Sequence, residues 1–144
     1  LLIIGDGPSK EQIVELIKDE KIADNTLMIC ARSNLEELFS IMSVYASPSV
    51  NEGLGLSLLE AQANYVPAVG FKTGGITDVI EHEVTGLLVE AFDTKALAGA
   101  IVRLIQDEEL AGQIKRAAYK NVWEKFSIIN MAENTINVYK EVVK

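Results

Sequence analysis

The sequence has one cysteine and one histidine among its 144 residues. A single cysteine excludes an internal disulfide, and Cys30, in the apolar run TLMICA, is expected to pack inside a strand of a protein from a reducing compartment. Histidine and cysteine groups at metal-ligand spacing are missing, so we expect no bound metal. His82, in the charged stretch IEHEV, is expected to be solvated surface rather than a catalytic group.

Long hydrophobic runs and an excess of basic residues are also missing. No apolar run approaches the roughly 20 residues that cross a bilayer, and no stretch resembles the basic start and small-residue cleavage site of a signal peptide. We therefore expect no integral membrane segment and a cytoplasmic location, with membrane association of a full-length protein left open. The 21 acidic and 13 basic residues give a net charge of −8, which opposes nucleic acid as a partner. An anionic ligand would need local donors.

Short apolar runs alternate with helical patterns along most of the chain. Continuous apolar strands separated by helices predict a parallel sheet covered on both faces. The fold class is therefore α/β, a Rossmann-like doubly wound parallel sheet with extra carboxyl-terminal helices, in one domain over 1–144. Strands are predicted at 1–4, 26–31, 44–48, 67–71 and 85–90, and helices at 9–20, 33–42, 76–81, 94–106, 108–123 and 128–143, with one more that follows the third strand and ends near 64. Ser33 and Glu36 form a predicted capping box, and Ser127 is the predicted N-cap of the last helix. The helix at 94–106 has an apolar stripe predicted to face inward: Leu97, Ala100, Ile101, Leu104 and Ile105.

The stretch SVNEGLGLSLLEA, residues 49–61, joins a strand to a helix through two glycines. The amides of Leu56 and Ser57 at the helix start would attract phosphate. Glu60 lies about one and a half turns into the helix, and its side chain leans back toward that site. Because phosphate repels a carboxylate, Glu52 and Glu60 suggest a polyol on each side of a diphosphate. The alternative is that Glu52 caps the helix and Glu60 is merely solvated.

Two longer segments carry a family resemblance. PSVNEGLGLSLLEA and VPAVGFKTGGITDVIEHEVTGLLV resemble the carboxyl-terminal, donor-binding domain of retaining GT-B glycosyltransferases of the group 1 type. The likeness spans nearly the whole chain and includes LLIIGDGP, ARSNLEELFSIMSVYASPS and TGLLV. It implies a domain that lacks its first strand–helix unit and the acceptor-binding domain, consistent with a chain that begins inside a strand.

The resemblance also implies roles for individual residues. Glu52 would be the catalytic-site acid that binds the donor hexose, and Glu60 would bind the nucleotide ribose. The remaining nucleotide-sugar contacts would come from glycine-rich turns and one loop: Gly53, Leu54, Gly55, Leu56, Ser57, Gly5, Gly7, Arg32 and Ser33. The nucleotide-diphosphate sugar would be the donor substrate, with no separate cofactor. A saccharide or lipid acceptor, as in polysaccharide biosynthesis, would bind through the missing amino-terminal domain.

Some positions depart from the family pattern. Tyr65 stands where a small residue, commonly glycine, is expected, Glu83 occupies a usual glycine, and Ser43 replaces a frequent aspartate. In an open α/β sheet the ligand lies outside the carboxyl ends of the strands, which predicts one ligand rim formed by GDGP, ARSN, SVNEGLG, FKTGG and the turn near Glu90. Lys72 and Arg32 are the bases near this rim. Two other functions stay open: a sugar-nucleotide epimerase of the same architecture, which should show its own acid and base residues, and a non-catalytic nucleotide-sugar-binding domain.

Overall fold

The computed structural model describes residues 1–30 and 35–143, in two compact units divided between Leu35 and Glu36. The first unit is a strand–helix–strand arrangement in which β1 pairs in parallel with β2, Ile3 lying opposite Met28. A short 3₁₀ turn, Ala23–Asn25, precedes the second strand. The elements of this unit are β1 (Leu2–Ile4), α1 (Lys10–Asp19) and β2 (Leu27–Ile29).

The prediction that Cys30 is buried in a strand is wrong. The second strand ends at Ile29, one residue earlier, and Cys30 is exposed. The strand that forms within the apolar run TLMICA is short, and Cys30 lies beyond its pairing with β1.

The second unit contains a three-stranded parallel sheet in the order β3-β4-β5, with Tyr45 opposite Ala68 and Val69 opposite Leu87. The predicted α/β class, its parallel strands and its helices are confirmed. The strands are β3 (Tyr45–Ser47), β4 (Ala68–Phe71) and β5 (Leu87–Val89), and the helices are α2 (Glu36–Phe39), α3 (Leu56–Ala63), α4 (Ile76–Val79), α5 (Thr94–Gln106), α6 (Glu108–Lys125) and α7 (Ile128–Val142).

Helices cover both faces of this sheet. Successive residues of a strand point to opposite faces, so Ala68 packs in one apolar cluster and its neighbour Val69 in another. Leu58, Ile76 and Val122 bring α3, α4 and α6 to the first cluster. The second contains residues of α5 and α6: Leu97, Ala100, Ile101, Leu104, Leu110, Ala111 and Ile114. Ile105, predicted to face inward with that stripe, is exposed.

Side-chain caps fix the starts of the last three helices. Asp93 accepts a hydrogen bond from the amide of Ala96, and Asp107 accepts one from the amide of Leu110. Ser127, the predicted cap of α7, accepts one from the amide of Asn130. The capping box predicted at Ser33 lies outside the described residues.

Two of the residues that depart from the family pattern lie in left-handed backbone. Tyr65 has φ 60° and Glu83 has φ 63°, a conformation in which the Cβ atom is crowded and glycine is favoured. Side-chain contacts accompany both: the ring of Tyr65 stacks on Tyr119 with centroids 4.2 Å apart, and Glu83 forms an ion pair with Arg103. The left-handed backbone is thus the physical reason that glycine is expected at these positions.

Helix α7 contains no buried residue within its described length. We expect its amides to exchange with solvent faster than those of α5 and α6, because a helix of about 15 residues is marginal in water without packing. Hydrogen exchange followed by mass spectrometry at peptide resolution measures this. Protection of residues 128–142 equal to that of α5 would contradict the expectation.

Candidate ligand-binding site

Three loops meet at the carboxyl ends of β3, β4 and β5. The hydroxyl of Thr73 donates to the carbonyl of Ser49 at 2.9 Å, and the amide of Gly75 donates to the carbonyl of Glu52 at 3.1 Å. On the other side, the Lys72 ammonium lies 3.7 Å from the Glu90 carboxylate, and both side chains are exposed. The part of the predicted ligand rim that belongs to the second unit is therefore brought together at this sheet edge.

The pair Gly74–Gly75 is required by the closeness of the motif loop. A Cβ atom on Gly75 would lie 2.0 Å from the carbonyl oxygen of Gly53, and one on Gly74 would lie 2.5 Å from that of Glu52. Gly74 also has φ 45°, which disfavours a side chain. The obstructing atoms belong to the backbone, so a larger residue at either position must displace the loop.

The amino terminus of α3 presents unpaired donors. Gly55 has φ 77°, and its carbonyl accepts the amides of Leu58 and Leu59 at 3.0 and 3.2 Å. Within the described residues, the amides of Leu56 and Ser57 donate to no protein group. Two free amides at the positive end of a helix form a site suited to an anion such as phosphate.

The two glutamates flank this terminus. Glu52 is half-buried, and no side chain caps α3, so the alternative in which Glu52 serves as the helix cap is wrong. Glu60 is exposed, and its carbonyl accepts hydrogen bonds from Asn64. Within the described residues, neither carboxylate forms an ion pair, which leaves both available as hydrogen-bond acceptors.

Tyr45, which the sequence analysis did not single out, also lies at this site. Its hydroxyl donates to the Ser57 hydroxyl at 2.8 Å. Burial raises the pKa of Tyr45, and the negative charges of Glu52 and Glu60 raise it further, while the bond to Ser57 lowers it. The available signal was a tyrosine in an otherwise apolar strand leading directly into the motif.

The remaining predicted contacts belong to the first unit or lie outside the described residues. Gly5 and Gly7 belong to the first unit, where they line a cavity of about 320 Å³ beside Pro8 and Met28. The amide of Gly7 donates a hydrogen bond to the Asp6 carboxylate at 3.0 Å. The predicted base-bordering residues Arg32 and Ser33 lie outside the described residues.

His82 has a local partner. Its Nδ1 accepts a hydrogen bond from the amide of Leu88 at 3.0 Å, so the side chain helps to hold the turn before β5. His82 is also exposed, as predicted. In the portion of the chain that the structure describes, no three His, Cys, Asp or Glu side chains form a metal-binding group. Among the described helices, none is both long and apolar enough to cross a bilayer.

A parallel sheet with helices on both faces and an anion-suited helix terminus at the strand ends defines an α/β domain with a candidate ligand-binding site. The chain belongs to the family of glycosyl transferases group 1, whose family model matches residues 1–121. The resemblance drawn from the motifs is thereby confirmed at the level of the family.

Several known proteins are similar to this chain. It is 35% identical over 144 residues to N-acetyl-alpha-D-glucosaminyl L-malate synthase of Bacillus anthracis, covering 100% of this chain and 38% of that protein. A TarM variant of S. aureus, crystallised with fondaparinux, alpha-GlcNAc-glycerol and UDP, is 28% identical with a TM-score of 0.89, covering 96% of this chain and 28% of that one. Sucrose-phosphate synthase of Thermosynechococcus elongatus is 26% identical with a TM-score of 0.88, covering 99% and 38%. The chain thus spans less than two fifths of each of these proteins.

Proposed function

We propose that this chain binds a nucleotide-diphosphate sugar and belongs to a glycosyltransferase that transfers the sugar with retention of anomeric configuration. The observation that carries the binding proposal is the α3 terminus, where the free amides of Leu56 and Ser57 lie between the glutamates at 52 and 60. Retention rests on the family resemblance. UDP in the TarM structure supports a uridine nucleotide as the first ligand to test.

In the proposed chemistry, three groups of the protein each bind one part of the donor. The amides take the diphosphate, because their dipoles and that of the helix favour negative charge. Glu60 accepts hydrogen bonds from the ribose hydroxyls, and Glu52 accepts them from the hexose. Catalysis then consists of orienting the donor and of stabilising the departing diphosphate with preorganised donors. The acceptor, a saccharide or lipid, is proposed to bind to a part of the protein outside this chain.

We expect UDP or GDP and the corresponding nucleotide sugars to bind the chain, and a DNA oligomer not to bind. Amides and polyol-binding acids suit a small diphosphate, whereas a net charge of −8 repels a long polyanion. Isothermal titration calorimetry with each ligand measures both. Binding of DNA without binding of any nucleotide would contradict the proposal.

A further inference from the structure

The ring of Tyr45 is held firmly at the start of β3. It packs edge-on against Phe39, with centroids 6.3 Å apart, and Phe39 is only 3% exposed. Backbone pairing with β4 fixes the other end of the residue, since the amide of Tyr45 donates to the carbonyl of Pro67 at 3.0 Å. With both ends fixed, the hydroxyl of Tyr45 has a defined position.

The hydrogen bond to Ser57 determines how the serine hydroxyl can be used. A serine hydroxyl has one hydrogen to donate and two lone pairs that accept. When Tyr45 donates to Ser57 Oγ at 2.8 Å, one lone pair is occupied and the serine hydrogen remains unused. Within the described residues, Ser57 Oγ donates to no acceptor. That hydroxyl belongs to the second residue of α3, which also carries one of the two free amides.

The surroundings of Tyr45 favour the donating role. Burial and the nearby carboxylates of Glu52 and Glu60 keep its pKa above the ordinary value, so the phenol stays protonated throughout the neutral range. Because a protonated phenol is a stronger acid than an aliphatic hydroxyl, it is the preferred donor in a bond between the two. The serine hydroxyl is thus left to donate in another direction.

We propose that Tyr45 is a positioning residue for the donor diphosphate, which directs the Ser57 hydroxyl hydrogen toward the bound anion. This adds a third donor to the amides of Leu56 and Ser57. Tyr45 acts through Ser57 and touches no ligand itself. The inference rests on the proposed function, because it takes the diphosphate as the ligand of the α3 terminus.

Calorimetry with UDP and with uridine tests the inference on four proteins: wild type, Tyr45→Phe, Ser57→Ala and the double variant. Loss of one neutral hydrogen bond should weaken UDP binding by about threefold to tenfold in Tyr45→Phe. Ser57→Ala should lose at least as much, and the double variant no more than Ser57→Ala. Uridine, which has no phosphate, should bind all four equally.

Two comparisons separate positioning from a purely structural effect. Tyr139→Phe, an exposed tyrosine on α7, should leave the Kd for UDP unchanged. Ser57→Thr keeps a hydroxyl and should recover most of the UDP affinity lost in Ser57→Ala. Thermal unfolding of each variant identifies any loss of folded protein, and Ser57→Ala still tests the role of the hydroxyl if Tyr45→Phe is unstable.

The outcomes distinguish this inference from the function on which it rests. If wild type binds UDP and Tyr45→Phe binds it equally well, the positioning role is wrong and the proposed function stands. Additive losses in the double variant, or equal losses for uridine and UDP, also overturn the positioning role. If wild type binds no nucleotide, the proposed function fails and the inference fails with it.

Discussion

Replacing Gly75 with alanine is expected to lower the free energy of unfolding by about 1–3 kcal/mol, the usual range for overpacking a well-filled site. The added Cβ would lie 2.0 Å from the carbonyl oxygen of Gly53 and 2.7 Å from Leu54 Cα, so backbone must move. That movement also disturbs the hydrogen bond from the Gly75 amide to Glu52. We expect nucleotide binding to be lost in the same variant. Chemical denaturation and calorimetry measure the two effects.

Two other glycines provide matched controls. Gly53→Ala changes the same loop, but its Cβ would meet nothing within 4 Å, so the stability should stay within about 0.5 kcal/mol of wild type. Gly99, in α5, also has open space around it, and alanine there should stabilise by roughly 0.5–1 kcal/mol because the helix favours alanine. If Gly75→Ala were as stable as Gly53→Ala, the close packing of the two loops would be refuted.

The second large effect follows from the roles proposed for the two glutamates, and it is measured in the protein that contains this chain. Glu60→Gln should raise KM for the nucleotide sugar with little change in kcat, because the ribose does not change during the reaction. Glu52→Gln should mainly lower kcat, because the hexose is the reacting group and a contact there strengthens in the transition state. Hydrogen bonds to charged groups are worth about 1.5–3 kcal/mol, which corresponds to roughly 10- to 160-fold in either parameter.

Steady-state kinetics of nucleoside diphosphate release separates these effects. Glu15→Gln, an exposed glutamate of α1, is the control for removing one negative charge and should change neither parameter. Circular dichroism shows whether the variants are folded. Equal losses in both parameters for both variants, accompanied by unfolding, would mean that the glutamates support the fold rather than the donor.

The regular elements could be predicted because the apolar residues follow the period of each structure. The apolar stripe predicts α5 over 94–106, and the cap Ser127 predicts that α7 begins at 128, as the structure has them. Burial at the ends of elements was less predictable. Cys30 and Ile105 are apolar but exposed, because burial depends on neighbouring elements that the local pattern does not contain.

The candidate site could be predicted where it is contiguous in sequence. The motif between 49 and 61 contains the glutamates, the glycines and the free amides, so one stretch reveals the α3 terminus. Contacts between distant segments could not be predicted in the same way. The bond from Tyr45 to Ser57 and that from Gln62, fully buried, to the Thr85 carbonyl at 2.9 Å depend on how strands and helices pack.

The motif loop is anchored by contacts to its main chain. Thr73 binds the carbonyl of Ser49, and Gly75 binds the carbonyl of Glu52, so neither anchor depends on the side chains between them. Val50 and Asn51, which lie between these anchors, are exposed. Substitutions at these two positions can therefore accumulate during evolution while the loop keeps its shape. The loop therefore tolerates changes at Val50 and Asn51 without compensating mutations in the core.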